Sequence, residues 1–544
     1  MVSRNERAVE GERRIRALVP TSGGLPISGS SLRLGELVAT FALAQDNAFG
    51  QPLESQLRSC LLASAICDEA GFDDDVRATV YWVSLLRYVG CTGHAHEVAT
   101  IFGDEIAIRA QTLVHDAANP AEVMRDVLAF ATAAHPPEER EQVEKAIQEG
   151  AHDWAIHNFA SGCEVGDMLT ERLSFGPDVR DALAFTFERW NGNGFPAGAT
   201  GEDIPLAMRV VHLSHDMEAI GRLYSPADAV AAAADRSGRT YDPALADLFA
   251  AHGGAWFEVL AKQEPWDAVL DLEPRPHRVL EGDELDAALL VAADFIDLKS
   301  PYMAGHSRRC AELASAAAGD LGFTDDRIAV VRRAALVHDL GTTAVPNSIW
   351  DKPGPLTRAE FDRVELHPML TEQMLRRSPG TAVLNPVAAA HHERADGSGY
   401  HRCVRADSTD PGASVLAAAD VYVALTTDRA DRPALSDAQS AVELRSLATA
   451  GALDPSSVDA VLTAAGHAPA PRSRARAQHP GGLTGREVEV LCLAARGLTT
   501  KDIAEQLYIS PKTADHHIQH VYTKIGVSTR AAAALWAMQN GVVS

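Results

Sequence analysis

The sequence predicts a mainly helical protein of three folded domains, and three observations carry that expectation. Its 544 residues allow about three or four domains at roughly 100 to 200 residues each. Only 6% of the residues are aromatic, beside many alanine-rich runs, which favours helix over sheet. The last sixty or so residues carry the start and stop signals of short helices.

Residues 1–30 read as a flexible tail. The start, MVSRNERAVEGERRIR, lacks the apolar core of a signal peptide, and no later stretch approaches the roughly 18 apolar residues of a membrane span. A cytoplasmic protein without membrane contact is expected. Seven cysteines (Cys60, Cys67, Cys91, Cys163, Cys310, Cys403, Cys492) are scattered without a CxxC pair. That pattern suits buried, reduced thiols better than disulfides or a structural zinc site.

Residues 31–265 and 282–464 read as two copies of one unit, joined by a linker at 266–281. At a constant offset of 251, Asp46 matches Asp297, Arg58 matches Arg309, Gly71-Phe72 matches Gly322-Phe323, and Gly90 matches Gly341. After an insertion of about 46 residues in the first copy, Glu188-Arg189, Gly192 and Gly194 match Glu393-Arg394, Gly397 and Gly399 at an offset of 205. The copies differ in chemistry. The second places His306, His338, Asp339, His367, His391, His392 and Asp420 at or near the ends of alanine-rich runs, where converging helices can aim several ligands at one point. Imidazoles mixed with carboxylates suit two divalent ions, Fe, Mn or Zn. Such a pair would activate a bridging water and clamp a phosphate ester, with His338 and Asp339 at its centre. The first copy has Ser55, Arg87, Tyr88, Gly162, Thr186 and Phe187 at six of these places, with Asp216 read opposite Asp420. Within its insertion, CTGHAHE reads as a helix with surface histidines rather than as a metal site.

Through HSRR, HDLG, the intervening HP and HHERADGSGY, the second copy resembles HD-GYP domains of the HD phosphohydrolase superfamily. The resemblance implies that the seven residues are metal ligands and that the activity is metal-dependent hydrolysis of a phosphodiester, commonly a cyclic dinucleotide. Three positions depart from the pattern. Thr342 stands where the family commonly has lysine, Gly399-Tyr400-His401 replaces GYP, and Tyr302 stands where three-metal members carry an acid. The first copy resembles a degenerate member, suited to dimerisation, regulation or ligand binding without turnover.

Residues 465–482, AGHAPAPRSRARAQHPGG, have linker composition. Beyond them, residues 483–544 open with Thr484 and Glu487 as a capping box, and Gly497 stops the first helix. Thr499 and Thr500 can cap a second helix. Ser510 and Pro511 start a third, which Gly526 ends. From Pro471 onward nine basic residues face five acids, a charge of +4 on a chain of net charge −25, so the body carries −29. Phosphates are favoured only where this module leads. The run LTGREVEVLCLAARGLTTKDIAEQLYISPKTADHHIQHVYTKIGVSTRAAA resembles the LuxR-type helix-turn-helix family. That implies a four-helix fold binding double-stranded DNA, with Ser510 to Ile525 as recognition helix. It turns Lys501, Lys512, Thr513, Asp515, His516, His520, Lys524 and Arg530 toward DNA. Of these, Lys501, Lys524 and Arg530 suit phosphate contact. A last helix around Ala531 to Asn540 would support a homodimer on paired half-sites.

The expected fold is thus two tandem HD-GYP-like helical domains followed by a four-helix LuxR-type domain. The expected function is a transcriptional regulator whose metal-binding region senses or hydrolyses a phosphodiester signal. Two other readings stand beside it: a phosphohydrolase that its DNA module merely localises, and a non-catalytic sensor of metal or nucleotide.

Overall fold

The computed structural model describes residues 31–467, 480–507 and 509–543. The expected tail and most of the expected 465–482 linker lie outside them. The described chain is mainly helical, and its one sheet has two strands, β1 (Ser31–Arg33) and β2 (Val279–Glu281). No described helix is long and apolar enough to cross a membrane.

The repeat is a structural one. Helix Ser55–Ala70 corresponds to His306–Asp320 and Asp74–Leu86 to Asp325–Val337, each pair starting 251 residues apart. The residue before each of the first pair, Glu54 and Gly305, has φ of 76°. In both copies a buried aspartate on the preceding helix accepts the N–H ten residues on: Asp46 from Gln56 and Asp297 from Ser307, both at 3.0 Å. Buried alanines such as Ala292, Ala314, Ala334 and Ala418 let these helices pack closely.

The copies face each other about a pseudo-twofold axis. β1 and β2 pair antiparallel about Leu32 and Leu280, which a twofold relation between equivalent segments requires. The first helix of each copy, Leu34–Ala48 or Gly282–Asp297, lies on the 3-10 turn of the other, Leu340–Ala344 or Cys91–His94. Phe41 and Phe295 meet at the centre, ring centroids 5.7 Å apart. The chain therefore carries its own internal dimer, with the first copy as partner of the second.

Residues 266–281, expected as a linker, are instead anchored to the core through buried Trp266, Val269, Glu273 and Leu280. Helix Pro265–Asp271 buries Trp266 and Val269 against helix Ser55–Ala70, β2 follows, and buried Glu273 ion-pairs with Arg33 and accepts the Gly35 N–H at 3.0 Å. The polar run EPRPHR looks like loop, but a pairing partner some 240 residues away holds it in place.

The insertion forms helices Ala95–Phe102, Glu105–Thr112 and Pro120–Ala134 and the first half of the long helix Arg140–Arg172, around a small core that includes Val98, Phe102 and Ile147. Of the two histidines in CTGHAHE, one is buried and the other half-buried. His94 is buried against Gly162, and His96 Nδ1 meets Asp351 of the second copy at 2.7 Å.

The C-terminal domain has four helices, Gly485–Ala495, Thr500–Gln506, Pro511–Ile525 and Arg530–Gln539, started by Thr484, Thr499, Ser510 and Thr529. Its last helix is docked on the body and buries Ala531, Ala533, Ala534, Leu535, Ala537 and Met538. The body's surface here is the long helix Arg140–Arg172, with help from Gly282–Asp297 and Cys91–His94. In this arrangement that helix is not free to join a second chain.

Candidate metal centre and DNA-binding face

All seven residues expected as metal ligands converge in one buried place, and how they get there is local. His338, His367 and His391 each lie just past the helix residue whose carbonyl they meet. Their Nδ1 atoms donate to Ala335, Val364 and Ala388 at 2.7, 2.6 and 2.7 Å. Those carbonyls are at helix C-termini and lack helical partners. Capping them fixes the orientation of each ring and turns its Nε2 inward.

The ligands form two groups with Asp339 between them. Its Oδ2 lies 3.3 Å from His338 Nε2 and 3.7 Å from His306 Nε2. The other oxygen, Oδ1, lies 3.4 Å from His367 Nε2 and 3.3 Å from His391 Nε2. Asp420 Oδ1 closes the first group at 3.1 Å from His306 Nε2. His392 joins the second, its ring stacked on Tyr400 with centroids 4.7 Å apart. The geometry of the second group fits a cation. His367 and His391 set their Nε2 atoms 3.1 Å apart although both rings spend their proton on a carbonyl. Two lone pairs buried face to face repel unless a positive charge lies between them.

The electrostatics agree. Burial would raise the Asp339 carboxyl, but the surrounding histidines hold it well below the usual carboxylate range. Burial lowers His391 to about 4 and takes His392 well below its ordinary value, leaving neutral imidazoles. His338 alone moves the other way, to about 9, because the charge of Asp339 outweighs burial.

Two of the three departing positions have partners in the structure. Thr342 is buried and donates to the Asp339 carbonyl at 2.7 Å, so no cation stands there. His401 Nε2 is tied to Glu372 at 3.0 Å. Sequence reasoning passed over Cys310, a fully buried thiol 3.6 Å from His306 Nε2, whose Sγ lies within 4.8 Å of ligand atoms of His306, His338 and Asp420. The available signal was its spacing, one helical turn after His306.

The first copy has lost this chemistry. Helices Leu206–Leu223 and Pro411–Leu425 start 205 residues apart, so His215, not Asp216, stands at the place of Asp420. Matching aspartate to aspartate in the sequence slips the alignment by one. Arg87, at the place of His338, is a buried guanidinium 3.8 Å from Asp216, which also accepts the Tyr241 hydroxyl at 3.0 Å. Phe49, Tyr88, Phe187 and Phe159 fill the rest, with stacked pairs at 3.9 and 4.2 Å. The cavity left beside Arg87 and Phe187 is about 10 Å³, room for at most one water. It cannot hold the ligand expected as one use of this copy.

Of the residues expected to face DNA, Lys501, Lys512, Thr513, Asp515, His516 and His520 are exposed, and the recognition helix Pro511–Ile525 keeps its outer face clear of the body. His516 and His520 lie side by side, centroids 4.2 Å apart. Two others are engaged within the chain: Lys524 with Glu487 at 2.6 Å, and Arg530 with the Gly497 carbonyl at 3.0 Å. The domain docks at the seam of the two copies. Ser528 donates twice to Glu164 of the first copy, by its N–H and its hydroxyl, both at 2.8 Å. Arg496 pairs with Asp428 of the second at 3.2 Å. The Gly305 N–H points at Met538 Sδ, 3.1 Å away, one residue before His306.

The fold has two facing helical bundles, one with a histidine and aspartate centre, and a docked four-helix module. Residues 157–245 and 291–457 match the HD domain family, and residues 482–537 match the bacterial regulatory proteins of the luxR family. The chain carries an HD-domain region in tandem copies and a C-terminal LuxR-type DNA-binding domain. It is 28% identical over 415 residues to the 3'3'-cGAMP-specific phosphodiesterase 3 of Vibrio cholerae, covering 76% of this chain and 90% of that one. It is 33% identical over 123 residues to the cyclic di-GMP phosphodiesterase response regulator RpfG of Xanthomonas campestris, covering 22% of this chain and 32% of that one. Among solved structures, the cyclic GMP-AMP specific phosphodiesterase V-cGAP3 of V. cholerae superposes with a TM-score of 0.56 at 25% identity, covering 81% of this chain and 99% of that one.

Proposed function

We propose that the second copy is a metal-dependent phosphodiesterase for a cyclic dinucleotide, and that its state of ligation controls the LuxR-type domain docked beside it. The observation that carries this reading is the pair of donor groups sharing Asp339, with bare His367 and His391 nitrogens 3.1 Å apart. His306, His338, Asp339 and Asp420 would hold one divalent ion, and Asp339, His367, His391 and His392 a second. Ions bound by these residues would supply Lewis-acid activation of water and charge neutralisation for a phosphate ester. The chain's own residues supply orientation and charge. Backbone carbonyls fix three imidazoles. The relatives' activities favour cyclic dinucleotides as the substrate class.

Control of DNA binding follows from position. The last helix of the DNA-binding domain touches the backbone one residue from His306, so a shift of that ligand is felt in the docking face. Release of the helix Arg530–Gln539 would expose its buried alanine face and permit the homodimer expected on paired half-sites. The test is to reconstitute the full chain with Mn²⁺ or Fe²⁺, follow hydrolysis of 3'3'-cGAMP and cyclic di-GMP, and measure duplex DNA affinity with and without each. Hydrolysis absent in the His338→Ala and Asp339→Ala variants, with DNA affinity changing on ligand addition, supports the proposal. Equal rates in wild type and variants remove the enzyme. Turnover with DNA affinity unmoved leaves a localised phosphodiesterase.

A second reading, a sensor that binds without turnover, is favoured by buried Thr342 and by His401 held on Glu372. Stoichiometric nucleotide binding with no product identifies it.

A further inference from the structure

We propose that Cys310 is a sulfur ligand of the subsite formed by His306, His338 and Asp420, making it a mixed sulfur, nitrogen and oxygen site for a soft divalent ion such as Zn²⁺ or Fe²⁺. The inference rests on the metal-binding reading above. Cys310 follows His306 by one turn of helix His306–Asp320, so both side chains leave the same face toward the same point. Its sulfur is fully buried, and His306 Nε2, 3.6 Å away, is its hydrogen-bonding contact among the described residues. The distance is informative. Zinc–sulfur bonds of about 2.3 Å and zinc–nitrogen bonds of about 2.0–2.1 Å set the sulfur–nitrogen edge of a tetrahedron at roughly 3.6 Å.

The other donors are present, with the shared Asp339 3.3 Å from His338 Nε2. Ligand atoms of His306, Cys310, His338 and Asp420 all lie within 4.8 Å of one another, and all four residues are buried. His338 Nε2 is buried at this point with the Asp339 carboxylate 3.3 Å away and no well-formed hydrogen bond, which leaves it placed as a further donor. A cysteine serving only to fill space needs no such neighbours, since an apolar side chain of that size would do. Sulfur changes which ion is held. Thiolate favours Zn²⁺ and Fe²⁺ over the harder Mn²⁺ and Mg²⁺, whereas the second subsite has three imidazoles and the shared carboxylate. The two subsites therefore differ in softness, and the first would be the tighter one for zinc.

The full chain, stripped with a chelator and reloaded with Co²⁺, reports sulfur directly through the near-ultraviolet sulfur-to-cobalt charge-transfer band. Wild type shows the band, and Cys310→Val loses it while keeping visible cobalt absorption from the remaining ligands. Cobalt bound without the band in wild type overturns the assignment of Cys310 alone, as does a band that survives in Cys310→Val. No cobalt bound at all overturns the metal reading beneath it. Should Cys310→Val fail to fold, X-ray absorption at the zinc edge of the wild-type chain decides. A sulfur neighbour at about 2.3 Å supports the proposal, and a shell of nitrogen and oxygen alone refutes it.

Discussion

Gly341→Ala would place a β-carbon 2.0 Å from the carbonyl oxygen of His367 and 2.9 Å from the Thr371 nitrogen. Both are backbone atoms, so no rotamer change relieves the clash. To recover ordinary contact at 3.4 Å, the start of helix His367–Leu375 must recede by about 1.4 Å. Metal ligands tolerate roughly 0.2 Å, so His367 leaves the second subsite. The first copy supplies a matched control. Gly90→Ala brings a β-carbon 1.9 Å from the Gly162 oxygen, the same clash at the same place in the fold. Each variant should lose about 1–3 kcal/mol of stability to overpacking. Only Gly341→Ala should also lose metal affinity, by at least the roughly 10- to 100-fold seen when an outer partner of a metal ligand is removed. Denaturant unfolding of the metal-free chain measures the first effect, and competition with a chelator measures the second. Wild-type metal affinity in Gly341→Ala, or an equal loss in Gly90→Ala, would refute the reasoning.

Metal affinity should depend on pH through His338, whose value of about 9 in the metal-free chain is raised above the ordinary histidine value. Below that pH the metal must displace a proton, so apparent Mn²⁺ affinity rises by about tenfold per pH unit from pH 6 to 8; a flat profile contradicts it. Arg87→Met removes a buried cation 3.8 Å from Asp216, which keeps His215 and the Tyr241 hydroxyl as partners, and should cost about 1–3 kcal/mol while leaving the metal stoichiometry unchanged; a loss of bound metal would show that the first copy's pocket takes part in the site. Glu164→Ala combined with Asp428→Ala removes the polar links that hold the DNA-binding domain. Amide exchange in helix Arg530–Gln539 should then quicken and duplex DNA affinity rise, whereas unchanged exchange argues against the docked arrangement.

Much of the site was legible because its chemistry is written in residue type. A histidine at the end of an alanine-rich run is visible in one dimension, and His306, His338, Asp339, His367, His391, His392 and Asp420 do meet. The caps of the C-terminal helices were equally local: Thr484, Thr499 and Ser510 each bond within three residues. The misreadings came from contacts that are distant in sequence. Residues 266–281 look like a linker until Arg33 meets Glu273, and His94 looks exposed until Gly162 receives it. The place of Asp420 in the first copy was settled by helix register, because type matching favoured Asp216 over His215.

The sequence by itself determined the helical class, the duplication, the LuxR-type module and the metal-capable side chains. All of these rest on periodicity, capping and residue identity, which are properties of short segments. Tertiary structure decided the rest: the pseudo-twofold pairing of the copies, Asp339 standing between two donor groups, Cys310 turned into the first of them, and the DNA-binding domain seated one residue from His306. The physical reason is that burial and distance between remote segments are fixed only when helices pack. A buried charge, a bare nitrogen or a thiol takes its chemistry from neighbours that the linear chain does not name.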